Sequence, residues 1–181
     1  MASNAMSMGK SSISKQRETA MDKEELVNEF RELLDEVGFS YKVDDSTRPG
    51  AIVLSFGMKC GPGIGRVGAV FEFRETGIRI YGVALELAAA KDLPEWFKLL
   101  AMINFELEAG CFEFEMASSQ IRFRHFVVCE GLAEIPPDFV CDTLLLPFEM
   151  FSRYGGSFVA LAEGFPDAAM AFGRRRKGDE G

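Results

Sequence analysis

Residues 67–82, VGAVFEFRETGIRIYG, carry the clearest structural signal in the chain. Apolar residues fill every second position before the turn, namely Val67, Ala69, Phe71 and Phe73. A period of two is typical of a strand with one buried face. With a four-residue turn, Phe71 lies opposite Ile80 and Glu72 lies opposite Arg79. The stretch therefore predicts an antiparallel hairpin with one apolar face and one charged face.

A similar pattern recurs in residues 112–125 and predicts a second antiparallel hairpin. With a four-residue loop at 117–120, the outer face pairs opposite charges, Glu115 with Arg122 and Glu113 with Arg124. The apolar face then consists of Phe112, Phe114, Met116, Ile121, Phe123 and His125.

The chain before the first hairpin predicts one helix and two strands. Asp22 and Glu25 match a capping box, and apolar residues follow at helical spacing until Gly38. Alternation with a period of two then predicts strands at residues 39–43 and 51–56.

The segment between the hairpins predicts a helix from Leu93 to Gly110, because Pro is favoured at the first helical position and Gly just past the end. One apolar arc suits a core and contains Trp96, Leu99, Leu100, Ile103 and Leu107. A second apolar stripe, about 140° away, contains Phe97, Ala101 and Phe105. One sheet cannot bury both sides of this helix. The second stripe therefore packs against the first or last helix, or it forms an interface rimmed by Lys98 and Glu108.

A last helix is predicted from Phe139 onward, with a kink or break at Pro147. The element order is then α-β(3-4)-α-β2-α. This order predicts an α+β fold of two layers, an antiparallel sheet with helices on one side.

Length and charge predict one domain with two charged ends. The 181 residues are 48% hydrophobic and carry a net charge of −8, and a chain of this size suits one domain. Residues 1–21 and 173–181 each carry a net +2, so the body between them carries −12. We expect residues 22–172 to form the domain, 1–21 to be a disordered segment with a cloning remnant at 3–6, and 173–181 to be a disordered tail.

Composition also limits the classes of partner. An acidic body repels phosphate backbones, and no apolar run approaches the length of a membrane span, so neither nucleic acid nor membrane is expected as a partner. The first 20 residues lack the apolar core of a signal peptide. A cytoplasmic protein is therefore expected, with four reduced thiols: Cys60, Cys111, Cys129 and Cys141.

A glycine-rich segment matches a dinucleotide fingerprint, Gly63-x-Gly65-x-x-Gly68. The fingerprint needs its glycines to open a helix, whereas these glycines lead into a predicted strand. The segment 57–65 is instead predicted to be a mobile loop with positive φ at its Gly-Pro-Gly centre. A small-ligand or nucleotide sensor that uses residues 57–68 remains the alternative function.

His125 is the single histidine, and Cys111 and Cys129 lie at the two ends of its hairpin. Three such ligands could approach one another, but their spacing matches no zinc finger or ribbon. We interpret His125 as structural and the cysteines as buried. The sequence predicts no catalytic residue, metal or cofactor, and hence no enzyme.

The chain from residue 96 to 164 resembles the YbjN-type bacterial sensory transduction regulators. The resemblance lies in Met102-Ile103-Asn104, Leu107, Gly110-Cys111-Phe112-Glu113-Phe114, Ile121-Arg122-Phe123 and the helix from Tyr154 to Gly164. The first helix with Gly38, Tyr41 and Asp44 extends the match to residues 22–164. Those domains are similar to type III secretion chaperones.

The resemblance implies a non-catalytic α+β protein that binds other proteins and acts as a homodimer without a cofactor. In the chaperones the middle helix and the following strand form the dimer contact. This implies that Phe97, Ala101, Phe105 and Cys111 form the partner or dimer interface, in agreement with the second stripe.

Overall fold

The computed structural model describes residues 22–61, 63–87, 93–130, 135–136 and 138–174. In chain order its elements are α1 (Lys23–Glu36), β1 (Lys42–Asp44), β2 (Ile52–Cys60), β3 (Gly65–Arg74), β4 (Gly77–Ala84), α2 (Leu93–Glu106), β5 (Cys111–Glu115), β6 (Gln120–Val128), α3 (Phe139–Ala162) and α4 (Pro166–Arg174). The strands form one six-stranded sheet in the order β1-β2-β3-β4-β6-β5, and every neighbouring pair is antiparallel.

The fold is α+β, with an antiparallel sheet and four helices in the described ranges. The strands bury one face against the helices, with α1 over β2 and β3, α3 over the centre and α2 over β5. Four strands precede α2. The helix α4 was not part of the predicted order. Gly164 (φ 89°) ends α3 and Pro166 begins α4, as is typical of glycine at helix ends and proline at helix starts. The helix α4 ends at Arg174, and the charged residues after it lie outside the described residues.

The register of the first hairpin is confirmed. Phe71 lies opposite Ile80, and Glu72 lies opposite Arg79. Phe71 and Ile80 are fully buried beneath the helices. Alternation and turn length were sufficient to predict the register of this hairpin, because both favour the same pairing of residues.

The predicted register of the second hairpin is wrong by two residues. Glu113, not Glu115, lies opposite Arg122. The turn is formed by residues 116–119 and closes through Ser119, whose φ of 53° lets the chain rejoin the sheet earlier than expected. A shift of two preserves the faces, so the apolar side still meets the core. Glu113 binds both arginines, at 2.7 Å from Arg122 and 2.6 Å from Arg124.

The predicted glycine loop at 57–65 is also largely wrong. The strand β2 continues through Cys60, and β3 begins at Gly65, so a short turn replaces the loop. In the predicted Gly-Pro-Gly centre, φ is positive at Gly63 (86°) but not at Gly61, and Pro62 lies outside the described residues. Gly65 has a positive φ of 71° that was not predicted. Ile64 is only 2% exposed and packs beside Gly155 of α3. The turn is therefore anchored to the helix layer.

The capping of α1 is confirmed, and α2 is shorter than predicted. The Asp22 carboxylate accepts from the Glu25 backbone N–H at 2.8 Å, the Glu25 carboxylate accepts from the Asp22 N–H at 3.3 Å, and Gly38 ends the helix with a φ of 73°. The helix α2 ends at Glu106, because the following residues must return the chain to β5. Gly110 (φ 74°) makes that return.

The helix α3 runs past Pro147 without a break. Pro147 lies against Gly82 of β4, where a Cβ atom would come within 2.7 Å of the proline ring. The close approach of the helix to the sheet therefore depends on the glycine. No described helix is long and apolar enough to cross a membrane.

Candidate functional site

The helix α2 has apolar residues on two sides and buries only one of them. Its buried side contains Trp96, Leu99, Leu100 and Ile103. The other side, which we call the α2 stripe, consists of Phe97, Ala101 and Phe105. Phe97 is 47% exposed and Phe105 is 91% exposed. Within the described residues, neither α1 nor the last helix covers the stripe.

Aromatic packing holds one end of the α2 stripe in place. Phe97 meets Phe114 of β5 edge-on, with 5.9 Å between ring centroids and an interplanar angle of 84°. Phe114 also lies 6.4 Å from the buried Trp96. Phe114 thus connects the stripe to the core. Sequence pattern placed Phe114 in the hairpin core, and its half-buried position at the stripe was not predicted.

Asn104 joins α2 to the outer edge of β5. Its side-chain oxygen accepts from the Phe112 N–H at 2.7 Å, and its amide donates to the Phe112 carbonyl at 2.9 Å. The amide thereby takes the place of one residue of a neighbouring strand. Exposed strand edges readily pair with other chains, so this cap both positions α2 and blocks part of the edge.

The structure separates Cys111 from the α2 stripe. Cys111 lies opposite Arg124 at the start of β5, on the sheet face away from the helices. Its thiol lies 3.9 Å from the Glu113 carboxylate and 3.9 Å from the Arg124 guanidinium. Of the predicted interface residues, the fold therefore brings together Phe97, Ala101 and Phe105, while the Cys111 side chain points to the other side of the sheet.

The sheet face away from the helices, which we call the open face, is rich in cations. The turn before β2 and the strands supply Lys42, Arg48, Lys59, Arg66, Arg74, Arg79, Arg122 and Arg124. The carboxylates on this face are Asp44, Glu72, Glu113 and Glu115. A protein whose body is strongly acidic thus has one basic face, which residue spacing alone did not predict.

Glu72 organises one end of the open face. Its side chain is 0% exposed and contacts Arg48, while Arg74 lies at 3.1 Å and Arg79 at 3.6 Å. Three guanidinium groups around one carboxylate offset part of the cost of burying its charge, while the Glu72 Oε1 and Arg74 Nε atoms are buried without a hydrogen-bond partner in the described residues. The predicted pairing with Arg79 is present, and Arg48 and Arg74 complete the cluster.

A cavity of about 550 Å³ lies at the other end of the open face. Its floor is formed where Gly57 of β2 lies directly opposite Gly68 of β3, so neither of these two positions adds a side chain. Its walls include Lys42, Ser55, Arg66, Val70, Val83, Leu85 and Gln120. Of the glycines singled out in the sequence, Gly57 and Gly68 therefore meet on the floor of a cavity and within strands, whereas Gly63 lies in the turn and Gly65 begins β3.

His125 and the cysteines are not assembled into a metal centre. Among the described residues, no group of three or more His, Cys, Asp or Glu side chains is placed to hold a metal ion. His125 lies on the helix side of β6, and burial lowers its pKa. Burial raises the pKa of the Cys60 and Cys129 thiols, which favours their neutral forms. All four cysteines are free.

These features define an α+β domain with a helix-covered face, an exposed aromatic stripe on α2 and a basic open face. In comparisons with known proteins, no family model, no curated protein and no solved structure matches the chain.

Proposed function

We propose that the chain is a non-catalytic protein-binding domain, chaperone-like or regulatory, that acts as a homodimer through the α2 stripe. The observation that carries this proposal is the exposure of Phe97 and Phe105 on one helix face. A contiguous exposed aromatic patch is typical of an interface. Full burial of each phenylalanine contributes about 1.5 to 3 kcal/mol.

A second copy suits the α2 stripe because the charges beside it are complementary under a two-fold axis. A two-fold axis perpendicular to α2 places the two α2 helices antiparallel, so each helix start faces the other helix end. Lys98 lies near the start of α2 and pairs with Glu95 at 3.5 Å, whereas Glu106 and Glu108 lie at and beyond the end of the helix. An isologous pairing therefore brings Lys98 of each copy toward acidic residues of the other.

The resemblance to the YbjN-type regulators and secretion chaperones supports the same proposal. It implies a dimer contact through the middle helix and the strand after it, which are α2 and β5 in this chain. The hydrogen bonds of Asn104 to Phe112 join these two elements into one unit. The resemblance also supports protein binding without a cofactor as the activity of the dimer.

Sedimentation tests the dimer directly. The wild-type chain should sediment at about 40 kDa at micromolar concentration, twice the 20.0 kDa of one copy. The double variant Phe97→Glu/Phe105→Glu should sediment as a monomer with an unchanged circular dichroism spectrum, because it places charge in the paired stripe.

Phe165→Glu is the matched control, since Phe165 is 59% exposed and lies outside the α2 stripe. It should leave the dimer intact. A wild-type chain that remains monomeric at about 100 µM would contradict the proposal, as would a double variant that remains dimeric.

The second candidate function is a small-ligand or nucleotide sensor, and the cavity over Gly57 and Gly68 is the observation that favours it. A panel of nucleotides tests the nucleotide form of this candidate. A bound nucleotide should raise the melting temperature by mass action. A panel with no thermal shift would remove nucleotides as ligands and would leave the α2 proposal untouched.

A further inference from the structure

The floor of the open-face cavity is made of two glycines, and the backbone does not require the one at position 68. A Cβ atom on Gly57 would lie 3.2 Å from the Val67 carbonyl oxygen and 3.5 Å from Arg66 Nε. Gly57 and Gly68 lie opposite each other inside β2 and β3, and neither has a positive φ. A Cβ atom on Gly68 would make ordinary contact at 3.5 Å with the flexible Leu85 side chain. Glycine weakens the interior of a strand, and it often marks a place where a ligand or another backbone approaches closely.

The cations beside this cavity differ from the others on the open face. Arg48, Arg74 and Arg79 pair with Glu72, and the arginines of β6 pair with Glu113. By contrast, Lys42, Lys59 and Arg66 form no ion pair with any described residue. Asp44 lies two residues from Lys42 on β1, and Glu86 lies beside Gly65, so this end of the face has an excess of positive charge.

Two of these cations lie directly opposite each other. Lys59 of β2 is the register partner of Arg66 of β3, and like charges in this position disfavour strand pairing. Local features that weaken a fold are expected at functional sites. The glycine pair and the cation pair are adjacent on the same two strands, so both indicate a site for an anion.

We propose that this cavity binds a small organic anion with an apolar body. The carboxylate or phosphate group binds Arg66 and Lys42, and the body lies over the Gly57 and Gly68 backbone against Val83 and Leu85. The cavity of about 550 Å³ lies within the range of about 300 to 1,000 Å³ typical of small-molecule sites. The site deepens the sensor candidate and does not depend on the α2 dimer.

The test uses the full chain and the fluorescent anion 1-anilinonaphthalene-8-sulfonate, which combines a sulfonate with an aromatic body. Its fluorescence should rise to saturation with one site per chain. Decanoate and adenosine monophosphate should compete if their anionic groups occupy the same site, and their relative strengths distinguish a carboxylate source from a phosphate source. Inorganic phosphate should compete weakly, because it lacks an apolar body.

Two variants locate the site. Arg66→Glu should weaken binding of the probe at least about tenfold, as expected for loss of a charged hydrogen bond. Gly68→Val should weaken binding by a similar factor because its side chain fills the cavity floor. Gly68→Val should also keep or raise the melting temperature, since valine suits a strand better than glycine. Loss of binding in this variant is then separated from unfolding.

Arg153→Glu is the matched control, because it makes the same arginine-to-glutamate charge reversal on the exposed side of α3, in the helix layer, and should leave probe affinity unchanged. Unchanged affinity in both Arg66→Glu and Gly68→Val would overturn the proposal. Binding of polyglutamate or single-stranded RNA without binding of any small anion would also overturn it. Sedimentation of Arg66→Glu as a dimer would show that anion binding at the cavity can be lost while the α2 dimer remains intact. The two proposals can therefore fail independently.

Discussion

Glu72 illustrates how neighbours determine the state of a single side chain. It lies on the open face, yet it is 0% exposed because Arg48, Arg74 and Arg79 cover it. The alternation of β3 correctly assigns the residue to the polar face. Alternation does not predict the burial of Glu72, because Arg48 lies in the turn between β1 and β2. That turn lies beside Glu72 only through the pairing of β2 with β3.

His125, the single histidine, allows the effect of burial on stability to be measured for one side chain. Burial lowers the pKa of His125, whereas the unfolded chain has an ordinary pKa near 6.5. The unfolded state therefore binds the proton more readily, so the contribution of His125 is fully present above about pH 6.5 and is lost as the pH falls toward the folded pKa. Urea denaturation between about pH 7.5 and about pH 5.5 should show a steeper loss of stability for wild type than for His125→Gln. Parallel pH profiles would contradict this prediction.

Asn104 makes a second prediction at the residue scale. Asn104→Ala should lower the free energy of unfolding by about 1 to 3 kcal/mol, because it leaves the half-buried Phe112 N–H and carbonyl without their partners. The higher helix propensity of alanine offsets only part of this loss. Urea denaturation provides the measurement.

Asn28→Ala on α1 is the matched control for Asn104→Ala, since Asn28 is exposed. It should change the free energy of unfolding by less than about 0.5 kcal/mol or stabilise the chain slightly. Equal effects of the two substitutions would show that the edge cap contributes nothing to stability.

At the scale of the element, α3 contains two neighbouring glycines in different surroundings. Gly155 faces the turn before β3, and a Cβ atom there would lie 2.4 Å from the Ile64 side chain. A Cβ atom on Gly156 would meet no neighbouring atom within 4 Å. Glycine lowers the stability of a helix interior, but at position 155 its missing side chain leaves the space that the Ile64 side chain fills.

Alanine at each position should have opposite effects. Gly156→Ala should stabilise the chain by about 0.5 to 1 kcal/mol through helix propensity. Gly155→Ala should destabilise it by about 1 to 3 kcal/mol, because the new methyl group overpacks the Ile64 contact. Thermal or urea unfolding of the two variants provides the comparison. Stabilisation by both substitutions would mean that Ile64 moves aside at little cost.

The two hairpins show how far element-scale patterns extend. In the first, alternation and turn length agree, and the predicted register is correct. In the second, alternation is satisfied equally well by registers that differ by two residues, since both keep the apolar side chains on one face. The turn at residues 116–119 selects between them, and no spacing of Glu113 or Glu115 indicated that turn.

At the scale of the whole molecule, charge is divided between the two layers. The exposed side of α1 is acidic and carries Glu24, Glu25, Glu29, Glu32 and Glu36. The open face of the sheet holds most of the described arginines. The net charge of −8 therefore represents neither the acidic surface of the helix layer nor the basic open face of the sheet. The expectation that an acidic body repels phosphate backbones applies to the helix layer, while the open face favours anions.

The α2 stripe and the cavity lie on surfaces that are formed by different helices and strands. The stripe belongs to α2, which packs on β5 at one end of the sheet. The cavity is lined mainly by β1, β2, β3 and β4, with Gln120 of β6 at its border. A homodimer through α2 thus leaves Gly57 and Gly68 outside the pairing. Self-association and ligand binding can therefore be tested by separate substitutions.

Local pattern alone was sufficient for the α+β class, the capping of α1, the first hairpin and the two-sided apolar character of α2. These features depend on residues close in sequence, whose spacing places them on one side of a helix or strand. The second register, the helix α4, the position of Cys111 and the strand character of residues 57–60 required the assembled fold. The arginine cluster around Glu72 and the Gly57–Gly68 cavity required it as well, because distant strands form each surface and register alone sets which side chains meet.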